Sequence, residues 1–295
     1  MFSKITKNII FIFALIPTRL LYIFADFLFF IQTYFVRYRR KVVIENLKKS
    51  FPTFSDEKIQ SIAKKFNRHL CDYAVESIRA LKISQRELDT RIEFKNLEVL
   101  NQIKAENKNC MLLCGHIFNW EWLIGAVHHL PTEKTYAVYH ALSNKEINDI
   151  MRQSRERFNT HAIDMNETPR VMMKTPNDGN STFLFVADQS PHCNLVQYDL
   201  EFLNQTTPVF IGFDKLARKL NYGVVYVNIS SPKRGHFIFS FERLIPKNEF
   251  FEPNEIIHLF YQALENNIKT DPANWLWSHR RWKYKRGIDY WKLPS

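Results

Sequence analysis

The sequence predicts an α/β fold, a mostly parallel sheet flanked by helices and preceded by a hydrophobic membrane-anchoring helix. Three observations carry this expectation. Residues 110–114 (Cys-Met-Leu-Leu-Cys) and 182–187 form continuous apolar runs, the pattern of strands buried on both faces. Segments of helical period separate the strands, and such alternation implies a parallel sheet with helices on both sides. Residues 9–36 consist mostly of Ile, Phe, Leu, Tyr and Ala. At 295 residues the chain can bury a sizeable core. With no internal repeat and no Pro/Gly/Ser linker in view, it divides into a membrane-anchoring helical segment, 1–40, and a single α/β domain, 41–295.

Taken in order, the N-terminal stretch is broken by Pro17-Thr18-Arg19, Asp26 and Gln32-Thr33, and its longest unbroken run, 9–16, has eight residues. A clean membrane span needs about 18. Bulky residues on both sides of Pro17 leave no small-residue cleavage site, so a signal peptide is set aside. Arg37, Arg39, Arg40 and Lys41 follow, where a juxtamembrane segment meets an anionic cytoplasmic leaflet. The expectation is a membrane-embedded or deeply interfacial helix, with the body on the cytoplasmic face. Next, Ser55 caps a helix with Asp56 and Glu57 in its first turn and Ile59, Ile62, Phe66, Leu70, Tyr73 and Ile78 at helical spacing. A short helix is expected at 97–103, the strand at 110–114, a helix at 120–130 and a strand at 135–139. Ser143-Asn144-Lys145-Glu146 reads as a capping box that opens a helix towards Phe158. A strand at 182–187, a helix at 216–220 and strands at 223–229 and 236–241 complete the pattern.

Composition excludes several classes. The seven glycines include neither G-x-G nor a P-loop frame, so the backbone cradles of those nucleotide sites are missing. The four cysteines form no C-x-x-C pair, against a disulfide framework or a zinc ribbon. A net charge of +11 points to anionic partners.

The chemistry concentrates where the first buried strand ends, at Gly115-His116-Ile117-Phe118-Asn119-Trp120-Glu121. In open α/β sheets the ligand crevice lies at the carboxyl ends of the strands. With His116 in the strand-to-helix loop and Glu121 in the first helical turn, the carboxylate can orient one ring nitrogen. The other nitrogen is then free to take a proton from a hydroxyl. This general-base dyad needs no nucleophilic side chain. Cys114 could hold an acyl group, but buried core is the simpler reading for it. No G-x-S-x-G elbow and no metal-ligand spacing occur, so neither a serine hydrolase nor a metal is expected.

Together with this motif, Ala187-Asp188-Gln189-Ser190-Pro191, Phe202-Leu203-Asn204-Gln205, Leu216-Ala217 and Trp277-Ser278-His279-Arg280-Arg281-Trp282-Lys283 resemble the lipid A biosynthesis acyltransferases. These are lauroyl and myristoyl transferases related to the glycerol-3-phosphate acyltransferases. Arg39-Arg40-Lys41, Glu45-Asn46-Leu47 and Phe51-Pro52 are similar too, extending the likeness from near residue 20 to near residue 286.

The resemblance implies an inner-membrane enzyme that moves a fatty acyl chain from acyl carrier protein to a hydroxyl of a lipid A precursor, without a cofactor. It makes His116 the general base and Glu121 its orienting carboxylate. It places Arg155 near an acceptor phosphate or the carbonyl, against a solvated charge on the helix face as the alternative. Asp188 and Gln189, expected beside the dyad at the sheet's carboxyl edge, would bind substrate or anchor the loop through backbone groups. One departure is His140-Ala141 after Tyr139, where the family often has Arg-Pro, and this leaves acceptor specificity open. The same chemistry on another hydroxylated lipid, an aminolipid or a glycerolipid, fits the dyad equally. The interleaved basic and aromatic residues 279–286 would also suit single-stranded nucleic acid. The hydrophobic N-terminus favours a membrane, and no nucleic-acid partner is expected.

Overall fold

A computed structural model of the chain describes residues 4–246 and 252–290, so the outer limits of both expected segments, at 1–3 and 291–295, lie outside the described residues. The N-terminus forms helices α1 (Lys4–Leu15) and α2 (Thr18–Ile31), the latter continued by a π-helical turn at Gln32–Val36. Pro17 separates them, because its ring forbids continuation of the first helix. Helices α3 (Arg40–Ser50) and α4 (Asp56–Arg79) follow. The Ser55 hydroxyl accepts the Lys58 N–H at 3.3 Å, the cap read from the sequence.

The body is a mixed, mostly parallel sheet of seven strands among the described residues: β1 (Ile92–Lys95), β2 (Cys110–Cys114), β3 (Lys134–Tyr139), β4 (Thr160–Asp164), β5 (Ser181–Val186), β8 (Gly223–Lys233) and β9 (His236–Arg243). Strands β6 (Tyr198–Phe202) and β7 (Gln205–Val209) make a separate hairpin. The order in the sheet is β1-β9-β8-β2-β5-β3-β4, and only the β8–β9 pair is antiparallel. Every residue of β2 is buried, as its unbroken apolar run requires. Helices α5 (Gln85–Arg91), α6 (Glu98–Ala105), α7 (Lys145–Arg155), α8 (Thr168–Lys174), α9 (Gly212–Leu220) and α10 (Glu255–Thr270) complete the layers. Phe260 and Leu264 of α10 join Met111, Leu112, Phe183 and Phe239 of the sheet in the main core.

The helix expected at 120–130 is present as a 3-10 helix, Trp120–His129, and one local expectation is corrected. The cap of α7 is Asn144, not Ser143: its side-chain oxygen accepts the Ile147 N–H at 3.0 Å. Asparagine reaches the free N–H groups as well as serine does, and the helix starts one residue later for it.

One register fixes the site. Cys114 of β2 pairs with Val186 of β5, so the two strands end level, and the residues two positions beyond each, His116 and Asp188, emerge side by side.

Candidate active site

His116 leaves the end of β2 with its ring pointed at Asp188. Its Nδ1–H donates to Asp188 Oδ1 at 2.5 Å. Oδ2 of the same carboxylate accepts the His116 backbone N–H at 3.0 Å and the Trp275 indole N–H at 2.6 Å. Asp188 is 2% exposed. Burial alone would raise its pKa, but the attraction to His116 when the ring is protonated and the hydrogen bonds from His116 and Trp275 outweigh it and hold the carboxyl well below the ordinary range. A carboxylate accepts only, so the Nδ1 proton is fixed and Nε2 carries the lone pair. The Gln189 side-chain N–H donates to that lone pair at 3.0 Å.

The carboxylate bonded to the His116 ring is Asp188, where the sequence expected Glu121. Glu121 sits at the start of the 3-10 helix and is held by Arg155, whose Nη2–H and Nε–H reach its two oxygens at 2.6 and 3.1 Å. The fork matches the carboxylate in a bidentate pair. Burial works against the Arg155 charge, but Glu121 beside it raises its pKa overall. Arg155, expected at an acceptor phosphate or carbonyl, thus meets a protein carboxylate, and its guanidinium also lies 5.5 Å from the centre of the Tyr139 ring. The five residues form two adjoining pairs plus Gln189, and no hydrogen bond joins the His116 ring to Glu121 among the described residues.

Close approach shapes the loop. A Cβ on Gly115 would lie 2.5 Å from Leu264 Cδ1 and 3.2 Å from Asp188 Oδ2, so only glycine lets the strand pass between α10 and the carboxylate. Phe118 adopts a left-handed φ of 43°, a strained state for a bulky residue, and its N–H is held by the Asn274 carbonyl at 2.8 Å. The C-terminal strap 274–282 runs behind the loop, with the Leu276 N–H on the His116 carbonyl at 3.1 Å. In this strap Trp275 supports Asp188, a role the sequence did not suggest. Buried Arg281 donates to the Tyr261 hydroxyl at 3.0 Å.

His116 lines a small cleft walled mostly by aromatic and aliphatic residues, Phe66, Leu70 and Tyr73 of α4 and Phe118 and Trp120 of the loop, with His69 and Asn274 as polar members. Trp120 stands edge-on to the imidazole at 4.6 Å and stacks on Tyr73 at 4.4 Å. Cys114 lies buried in β2, and burial pushes its thiol far above the range in which a thiolate forms at neutral pH. It makes no nucleophile. Nearby His279 is driven down to about 4, first by burial and then by the Arg281 and His116 charges, against the pull of Asp188.

A histidine held by a buried carboxylate at the carboxyl edge of a mostly parallel sheet can serve as a general base towards a hydroxyl. The chain belongs to the bacterial lipid A biosynthesis acyltransferases, whose family model matches residues 5–284. No individual curated protein matches it.

Proposed function

We propose that the protein transfers a fatty acyl chain from the thioester of acyl carrier protein to a hydroxyl of a lipid A precursor, at the cytoplasmic face of the inner membrane. The observation that carries this reading is the His116–Asp188 pair, which fixes the Nδ1 proton and leaves Nε2 to the displaceable Gln189 amide, with the His116 side chain at a cleft lined by Phe66, Leu70 and Tyr73. The acceptor hydroxyl displaces the Gln189 amide and gives its proton to Nε2 as its oxygen attacks the thioester carbonyl. Asp188 stabilises the imidazolium that forms. The tetrahedral intermediate then collapses, the C–S bond breaks, and the departing thiolate takes the proton back from His116. Phe66, Leu70 and Tyr73 exclude water, which would otherwise compete for the thioester. Acyl carrier proteins are acidic, and the +11 charge of the chain favours their approach.

The test uses wild type and His116→Ala with acyl-loaded carrier protein and a tetra-acylated lipid A precursor bearing free 3-hydroxyacyl groups, read by mass spectrometry. Wild type is expected to add one acyl chain, and folded His116→Ala to lose at least about a hundredfold in rate. A well-folded wild type that adds none, yet acylates another hydroxylated lipid, would transfer the mechanism to that acceptor.

A further inference from the structure

The helical segment Thr18–Val36 is long and apolar enough to cross a membrane. Its contacts forbid it. Leu21, Ala25 and Phe29 of α2 are buried in one cluster with Cys71 and Val75 of α4, and polar ties recur along its length. The Thr18 hydroxyl donates to Glu87. Asp26, in the middle of the helix, accepts from Arg68 of α4 and from Arg234 at the β8–β9 turn, the latter at 2.9 Å, and Arg234 also grips Asp72 of α4. At its far end Gln32 and Thr33 bond Asn67. A helix tied to the body from Thr18 to Thr33 cannot cross hydrocarbon without taking α4 and the β8–β9 turn with it. Exposed Lys64 and Lys65 of α4 would follow, at about 2.5 kcal/mol or more each.

The opposite side of α2 is unpartnered. Leu20, Ile23, Phe27 and Phe30 are 55%, 67%, 58% and 50% exposed, and Ile12 and Leu15 of α1 are each 63% exposed. At about 100° per residue, 20, 23, 27 and 30 fall on one face, roughly half a turn from 21, 25 and 29. Arg19, Arg37, Arg40 and Lys41 lie exposed beside this face. Each cation near an anionic surface adds about 1 kcal/mol of attraction.

We infer that α1 and α2 lie flat in one leaflet of an anionic phospholipid bilayer, outer face down, and do not span it. The inference rests on reading the protein as a membrane-bound enzyme and specifies how it is bound. It also places the cleft. Phe66, Leu70 and Tyr73 line one side of α4, while Cys71 and Val75 meet α2 on the other. The cleft therefore lies across both α2 and α4 from the embedded face, about two helix diameters, roughly 20 Å, above it.

The test is label depth on the full chain. In a Cys193→Ser background, which removes the one cysteine that is not buried, Ile23→Cys and Phe30→Cys are each given a fluorophore. The proteins are bound to vesicles of phosphatidylethanolamine and phosphatidylglycerol carrying nitroxides at shallow or deep acyl positions. Equal depth at 23 and 30, with the shallow nitroxide the better quencher, is expected. A depth difference of about 10 Å, seven residues of axial rise, would overturn the inference in favour of a span. Ile23→Asp combined with Phe27→Asp should lower vesicle binding at least about tenfold while acyl transfer in detergent stays unchanged. Unaltered vesicle binding overturns the inference too. Acyl transfer in detergent reports separately on the enzymatic reading, so the two can fail independently.

Discussion

Two carboxylates flank the loop that carries His116, and each is 2% exposed: Asp188 on the sheet side, Glu76 of α4 on the side of the N-terminal helices. Asp188 accepts three N–H groups, one from an imidazole that can carry charge. Glu76 accepts from the Tyr22 hydroxyl and from the Asn119 amide at 2.9 Å, with no cation bonded to it among the described residues. Asp188 is held far below the ordinary carboxyl range, whereas Glu76 is pushed up to about 7 by burial and the nearby Asp72 charge. Burial sets the same penalty on both; the donors and charges around each decide whether it stays ionised. The one that touches the base is the one kept charged.

The strongest way to break this contrast is Asp188→Asn. An amide presenting its N–H to Nδ1 would force the other tautomer and remove the Nε2 lone pair, and the rate of acyl transfer should fall roughly a thousandfold. An unchanged rate in a folded variant would return the orienting role to Glu121. Arg155→Ala tests the neighbouring pair. Stripped of its counter-charge, Glu121, whose side chain is 7% exposed, should destabilise the fold by about 3–5 kcal/mol in denaturant titration. Arg155→Lys should recover part of that.

Glu76 sharpens the comparison through pH. Its folded pKa is raised from 4.5 to about 7, so between those values the folded state binds more protons than the unfolded one. Wild-type stability should therefore fall as pH rises through this window, by about 3 kcal/mol in all. Glu76→Gln removes the titration, and the two proteins' stabilities, compared by denaturant unfolding below and above the window, should diverge by that amount in favour of the variant at the higher pH. The smallest effect belongs to Trp275→Phe. It deletes one of three donors to Asp188 and should cost about 1–2 kcal/mol, read as a roughly tenfold slower transfer.

The strands at 110–114 and 182–187 were legible because a strand buried on both faces needs an unbroken apolar run. His116 was legible because such a strand delivers its next residues to the crevice. The partner of His116 was not. Glu121 is five residues away and Asp188 seventy-two, and local spacing favours the nearer carboxylate. The true pairing depends on β2 lying beside β5 in one register, which no short motif encodes. Asn119 and Glu76 were hidden for the same reason. Helix α10 carries a readable signal, Ile256, Ile257, Phe260, Leu264 and Ile268 at helical spacing, yet is missing from the expected elements. The resemblance to the acyltransferase family supplied Asp188 and Gln189 as site residues, while their contacts came only with the fold.

The register that joins β2 to β5 also sets a timetable. During synthesis α1 and α2 leave the ribosome well over a hundred residues before Asp188, and β8, the other neighbour of β2, follows Asp188 by thirty-five residues or more. Contacts of such long sequence separation form late and slowly. The N-terminal helices are thus complete while His116 still lacks its partner carboxylate, and a chain cut short before residue 188 cannot form the His116–Asp188 pair at all.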